Sequence, residues 1–455
     1  MSTYTASPIR YPDLGAPALM TRRAWWLVAL NFLIPGSTQV LAGNRRLGRI
    51  GLAATLTMWF LTLFGIIAYG LWPTAVLSVV TNSFALLAAQ ILLTLYAALW
   101  FVLTVDTLRL VRLVRAAPGS RFWIAAFTVI LLVASVGTAT VGAYYAGVTR
   151  GTLHSIFGGG AASVPPVDGR YNILLLGGDA GPDREGLRPD SISVVSIDAD
   201  TGRVTMIGLP RDMRKVPFSA GSPMAELYPD GYRRCDVSVC KLNSVYTEAE
   251  LRHSELYPDA TSTGTTPGIE ATKEAAEGIT GLEIQYYVLI DMQGFEQLIN
   301  ALGGVDINVD TRIPVGGDEN NEGVDGWIEP GQQHLDGYSA LWFGRARYGV
   351  AGGDYARMQR QRVLQEAILQ QFTPTNVLSK FQEVASAGAD TVKTDVPQSM
   401  LGYFVNLAMK TRELPITTVE LVPENGVDPT EPDFEYIRSL IAPAVAPATE
   451  EPSEG

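Results

Sequence analysis

Tyr171–Asp212 reads YNILLLGGDAGPDREGLRPDSISVVSIDADTGRVTMIGLPRD, and the order of its apolar runs decides how the chain folds. "YNILLLG" from Tyr171, "SISVVSID" from Ser191 to Asp198 and "RVTMIGL" from Arg203 to Leu209 are short and apolar, which predicts three strands. "ADTG" between the last two is a turn signal, so those strands form an antiparallel hairpin. The link from Gly178 to Asp190 carries too much Gly and Pro to hold a crossover helix. The first strand therefore runs up, the second down and the third up. One chemical consequence follows: Asp179, Arg188, Asp190, Arg211 and Asp212 all gather at one end of the sheet.

Further along, elements alternate in kind. "TPGIEATKEAAEGITG" is a helix with a Gly stop, "IQYYVLID" a strand, "MQGFEQLINALGG" a helix and "VDINV" a strand. This is an α/β domain with helices packed on a sheet, spanning residues 170–423. Within it, "LDGYSALWFGRARYGVAGGDYARMQRQR" holds a second basic cluster. Asp336 to Phe343 reads as a helix stopped by Gly344, which leaves Arg345 and Arg347 on an extended segment, facing the same way. A new helix begins near Asp354 and sets Arg357 and Arg360 on one face. Two converging arginine pairs suit a phosphate clamp, because a guanidinium pairs with two phosphate oxygens and stays charged. Each motif alone has a plainer reading. "PRD" is commonly a surface salt bridge, arginines three apart commonly solvate a helix face (as Arg362 would), and "GGD" is an ordinary turn. Their convergence on one pocket is what points to a phosphate or diphosphate site with a metal.

Composition divides the chain of 455 residues and net charge −12 at Gly151. All but two of its 46 acids, Asp13 and Asp106, lie after that point, and eleven of the 34 Lys/Arg lie before it. A basic apolar front and an acidic back describe a membrane region followed by a polar domain. The acidity excludes nucleic acid as a partner. His154, His253 and His334 are far apart, which argues against a zinc site or a nucleophilic triad. Cys235 and Cys240 can form a local disulfide in an oxidising compartment, or stand as two thiols in a surface loop.

Three apolar segments reach the roughly 20 residues a bilayer crossing needs: about Ile50–Leu71, Ala75–Val105 and Phe122–Ala146. Arg45, Arg46 and Arg49 precede the first, and Arg109, Arg112, Arg115 and Arg121 follow the second. The positive-inside rule makes both clusters cytoplasmic, and the third crossing delivers residue 150 onward to the outside. Residues 24–42 either cross as well or re-enter, because Pro-Gly at "IPGST" interrupts the helix; Arg22 and Arg23 favour re-entry. The remaining segments are an N-terminal piece at 1–23, cytoplasmic or unassigned, a flexible stalk at 149–169 and a partly disordered acidic tail at 424–455.

The set "NILLLGGD", "RPDSISVVSID", "GLPRD", "KLNSVY", "LGGVDINV" and "GRARY…GDYARMQRQR", in that order, resembles the LytR-CpsA-Psr family over about residues 170–372. The front "NFLIPGSTQVLAGNRRLGRIGL" resembles multi-span anchors of some actinobacterial members. The resemblance implies a mixed sheet flanked by helices and a phosphotransferase of cell-wall assembly. Such an enzyme moves a glycan phosphate from a polyprenyl-diphosphate carrier to a peptidoglycan hydroxyl, with Mg2+ (or Mn2+). Carried over, Asp179 and Asp190 hold the metal, and Arg188, Arg211, Arg345, Arg347, Arg357 and Arg360 hold the diphosphate. Asp190, Arg211, Arg345 and Arg347 are the expected catalytic set. Two departures stand out: Pro189 sits where a small polar residue is expected, and Arg214–Pro267 is long, as an acceptor-side or partner-facing loop would be. A polyprenyl-diphosphate hydrolase and a non-catalytic lipid-glycan binder would use many of the same residues.

Overall fold

The computed structural model describes residues 9–157, 163–179, 188–317, 322–347, 350, 353–371, 392–412 and 414–446. The chain forms two compact units, Met1–Gly151 and Thr152–Gly455.

The first unit is helical: α1 (Pro17–Leu33), α2 (Ser37–Ala42), α3 (Arg45–Leu71), α4 (Pro73–Val80), α5 (Ser83–Val111) and α6 (Pro118–Phe157). Three helical stretches, Arg45–Leu71, Ser83–Arg115 and Pro118–His154, are long and apolar enough to cross a membrane. The second starts later than the apolar run suggests. Asn82 accepts the N–H groups of Phe84 and Ala85, and this cap splits α4 from α5. Between α1 and α2 the chain folds back on itself. Arg23 donates to the Leu110 carbonyl at 2.7 Å, and a Cβ on Gly43, just past α2, would lie 2.7 Å from the Leu110 side chain. Both ends of the hairpin thus meet the same residue of α5. Halfway along, Asn31 donates to Thr104 and Gln39 to the Leu103 carbonyl, each at 2.9 Å. The turn needs Gly36: its φ is 94°, and a Cβ there would sit 2.4 Å from the Leu52 nitrogen.

The second unit opens with β1 (Arg170–Asp179), β2 (Arg188–Asp198) and β3 (Val204–Gly208), followed by α7 (Pro223–Leu227), α8 (Leu242–Arg252) and α9 (Pro267–Thr280). Next come β4 (Tyr286–Asp291), α10 (Met292–Leu302), β5 (Val305–Val309), β6 (Ile313–Gly316), β7 (Val324–Ile328), β8 (Gly331–Leu335), α11 (Gly337–Arg345) and α12 (Gly353–Gln371). β9 (Val392–Thr394), α13 (Leu401–Thr411), β10 (Thr417–Glu420) and α14 (Phe434–Val445) complete it. The main sheet has the order β10-β3-β2-β1-β4-β9. β2 is antiparallel to both β1 and β3, the up-down-up path expected, while β4 joins β1 in parallel. "VDINV" is a strand, but it pairs with β8 in a separate two-stranded sheet.

Leu174, Val194, Ile207 and Leu209 from the sheet pack on Ile269 and Ile279 of α9 in the main core. A second core joins β5 to β8 with α10, α11 and α12 through Ile299, Ile307, Phe343 and Leu364. The chain ends differ from the sequence reading. α6 continues to Phe157, so the expected stalk begins as helix. The expected tail contains α14, capped by Asp433, with Ile437 and Ile441 buried against the main core and the Ala444 carbonyl bonded to Thr205. Its short apolar face was hidden by the acids that flank it.

Candidate active site

The site begins at a fault in the sheet. Between Gly177 and Gly178 the β1–β2 register shifts, so Gly178 faces Pro189 and Asp179 faces Arg188. A bulge is where a central strand tolerates proline, because the ladder there is already broken. The same fault lets β2 start at Arg188 and present Asp190 beside the two glycines. A Cβ on Gly177 would come within 3.0 Å of the Ser191 Cβ, so the close approach needs glycine. β3 then hands the chain to Arg211.

Asp190 is the centre of what assembles. Its Oδ1 is ion-paired with Arg211, and its Oδ2 lies 3.6 Å from Arg347 Nη2. It lines a cavity of about 150 Å³ whose wall also carries Arg345, Arg347 and Arg357. Phe295, Leu341 and Leu364 give the same cavity an apolar side. A smaller neighbouring pocket shares Asp190 and Arg357 and adds Arg211. Four guanidinium groups, with Arg362 as a fifth on the wall of the smaller pocket, and one described carboxylate therefore border two adjoining spaces. Such a space attracts a multiply charged anion, and guanidinium forks match phosphate oxygens.

Not every expected residue faces it. The side chain of Asp179 lies outside the described residues, although its backbone ends β1. Arg188 lines neither pocket, and its Nε is buried without a hydrogen-bond partner among the described residues. Asp212 lines neither pocket. Arg345 is in the last turn of α11, not on an extended segment, with its guanidinium 5.3 Å from the Trp342 ring centroid, a cation–π contact. Arg360 is buried and turned away from the cavity. It donates from Nε to the Phe343 carbonyl at 2.8 Å and from Nη2 to the Ala346 carbonyl, so it fixes the segment that carries Arg345 and Arg347. Burial pushes its pKa down. Arg362, expected on a solvated face, is 7 % exposed and paired with Glu420 of β10. Desolvation lowers its pKa, and Glu420 opposes that shift. Gly208 of "GLPRD" makes room for it: a Cβ there would lie 2.8 Å from Arg362 Nη1.

Gln361 and Gln365 also line both pockets and were not singled out from the sequence. Their signal was available, since Arg357, Gln361 and Gln365 repeat every four residues along one face of α12.

α11 depends on its cap. Asp336 accepts the Ser339 N–H at 2.8 Å, and this bond holds its carboxyl below the usual aspartate range. Asp336→Ala should cost about 1 kcal/mol of stability at neutral pH. A lowered folded-state pKa gives stability above the ordinary aspartate value and loses it as pH falls through the folded one. Thermal melts of the two proteins should therefore differ at neutral pH and converge in acid.

Cys235 and Cys240 are joined in a disulfide. Beside it, fully buried Glu248 accepts hydrogen bonds from Tyr228 and from the Asp236 and Val237 N–H groups. Asp236, Glu248 and His253 bring potential metal-ligand atoms within 4.8 Å of one another. None of the three lines the arginine cavity.

Comparison with known proteins identifies relatives of the chain. A model of the LytR_cpsA_psr family matches residues 149–431, more than half of the chain. The chain is 30% identical over 230 residues to "Polyisoprenyl-teichoic acid--peptidoglycan teichoic acid transferase TagU" of Enterococcus faecalis, covering 50% of this chain and 61% of that protein. It is 24% identical over 284 residues to the Bacillus subtilis transferase TagV, covering 60% of this chain and 63% of that one. The crystal structure of B. subtilis TagV aligns over 61% of this chain and 98% of that chain, with a TM-score of 0.43 and 23% identity. The chain thus spans less than two thirds of the length of these curated relatives. On the extent of the family match, the chain belongs to the LytR-CpsA-Psr family.

Proposed function

We propose that this protein is a phosphotransferase that moves a glycopolymer phosphate from a polyprenyl-diphosphate carrier to peptidoglycan. The observation that carries the reading is Asp190, set between Arg211 and Arg347 on the wall of a cavity that is cationic on one side and apolar on the other. A diphosphate with a hydrocarbon tail has the same division. The printed names of the relatives, polyisoprenyl-linked donor and peptidoglycan acceptor, agree with it.

In the reaction a peptidoglycan hydroxyl attacks the glycan-bearing phosphorus, and the bond from that phosphorus to the bridging oxygen breaks. Prenyl phosphate leaves with the bonding pair, and the acceptor proton passes to Asp190 as general base, a role that requires its carboxylate not to stay fully on the metal. Arg211, Arg345, Arg347 and Arg357 hold the diphosphate and stabilise the negative charge that builds on it. Arg360 acts by positioning, and Arg188, which lines neither pocket, is given no contact with the diphosphate. Mg2+ or Mn2+, held by Asp190 and Asp179, would neutralise further charge, in keeping with the preference of such ions for carboxylate and phosphate oxygens. Chelation should therefore reduce turnover at least about tenfold, with recovery on adding Mg2+ or Mn2+; initial rates in EDTA check this.

The protein is read as a multi-pass protein of the cell membrane. The arginines in the first turns of α3 and those in the last turn of α5 and just beyond it favour the cytoplasmic side, which puts the second unit outside, where a disulfide persists. The test uses the full chain in detergent micelles with a synthetic polyprenyl-diphosphate glycan and peptidoglycan fragments. A phosphodiester on peptidoglycan is the expected product. Free glycan phosphate alone would replace this reading with a hydrolase, and binding without cleavage would replace it with a carrier-binding scaffold.

A further inference from the structure

We propose that Trp327, Tyr338 and Trp342 form a track for the sugar rings of the peptidoglycan acceptor, leading to the cavity at Arg345. The inference deepens the proposed function and rests on it.

Of the eight tryptophans, only Trp327 and Trp342 fall after Gly151. Tyr338, Trp342 and Arg345 stand four and three residues apart on α11 and share one face. The Tyr338 and Trp342 rings are 6.4 Å apart, and the Arg345 guanidinium, part of the cavity wall, lies over Trp342. At the other end the Tyr338 hydroxyl donates to Asp325 at 2.7 Å. Asp325 and Trp327 are two apart on β7 and point to its exposed face. Arg312 lies 4.2 Å from the Trp327 ring centroid and is itself held by Glu329 at 2.8 Å. The rings are therefore fixed in place, yet Trp327 and Tyr338 both remain 39 % exposed.

Fixed, exposed aromatic rings suit pyranose sugars. The electron-rich ring face attracts the polarised C–H groups of a sugar, and neighbouring carboxylates accept its hydroxyls. Asp325 and Glu329 supply those acceptors. Glu329 balances Arg312, and Asp325 leaves the track slightly negative, which opposes a polymer with a phosphate in every repeat or an anionic lipid surface more than a glycan with one carboxylate per disaccharide, and so favours the acceptor. Continuity with Arg345 delivers an acceptor hydroxyl to the reacting phosphorus.

The test measures binding of peptide-free N-acetylglucosamine–N-acetylmuramic acid oligosaccharides to the full chain in detergent micelles, with no donor present. Trp327→Ala should weaken binding about tenfold, in line with loss of one stacked ring, while Trp327→Phe retains most of it. Binding of a prenyl diphosphate should be the same in all three proteins. Equal oligosaccharide affinity in wild type and Trp327→Ala would overturn the track, as would a variant that loses affinity only for anionic vesicles. Should wild type bind the oligosaccharides in a Trp327-dependent way and yet transfer no glycan phosphate, the track stands and the proposed reaction falls.

Discussion

Replacing Arg347 with alanine should lower glycan transfer at least about 100-fold, the loss typical of one donor aimed at transition-state charge. Arg347 lies 3.6 Å from Asp190 and is 35 % exposed at its side chain, so its guanidinium borders the cavity and is not committed to the core. Its loss removes a fork that can hold two phosphate oxygens, and lysine should not restore it, since an ammonium is a point charge. Arg345→Ala should fall into the same range, because that side chain borders the same cavity. Initial rates at saturating donor, together with unchanged melting, would separate lost chemistry from lost fold. If both variants transfer at near-normal rates, neither arginine belongs to the mechanism.

Asp190→Asn should be the more damaging change, about 1000-fold in turnover, within the range for losing a general base. Asparagine keeps the shape and one acceptor oxygen but neither takes the acceptor's proton nor balances Arg211 and Arg347. Substrate affinity should move the opposite way. Without its carboxylate the cavity becomes more cationic, so a prenyl diphosphate, with binding measured in EDTA so that loss of a metal does not enter, should bind as tightly or more tightly while the rate collapses. Equilibrium binding and single-turnover rates measure the two effects separately. Parallel loss of binding and rate would make Asp190 a structural partner of the arginines and nothing more.

Much of this could be read from the chain. Alternation and turn chemistry in Tyr171–Asp212 give the path of β1, β2 and β3, and with it the meeting of Asp190 and Arg211, because those signals act between neighbours in sequence. The pairing of β4 with β1 and of β10 with β3 depends on contacts across long stretches, which local periodicity does not encode. Side-chain direction was the other gap. Arg357 and Arg360 share a helix, yet one borders the cavity and the other spends its donors on carbonyls at the end of α11. Arg362 looked like a solvated residue because its partner, Glu420, comes much later in the chain. In the first unit, Asn82 is an ordinary helix cap inside an apolar run, which a hydropathy reading passes over.

The covalent loop at Cys235 and Cys240 does more than shorten the unfolded chain. It holds the Asp236 and Val237 amides against Glu248, an ionisable group with no access to solvent. Opening the loop would free those amides and leave the carboxylate short of donors deep in the protein, an expensive state. Chain made in a reducing host compartment should therefore mature poorly, which makes thiol oxidation a checkpoint for correct assembly of the α8 region.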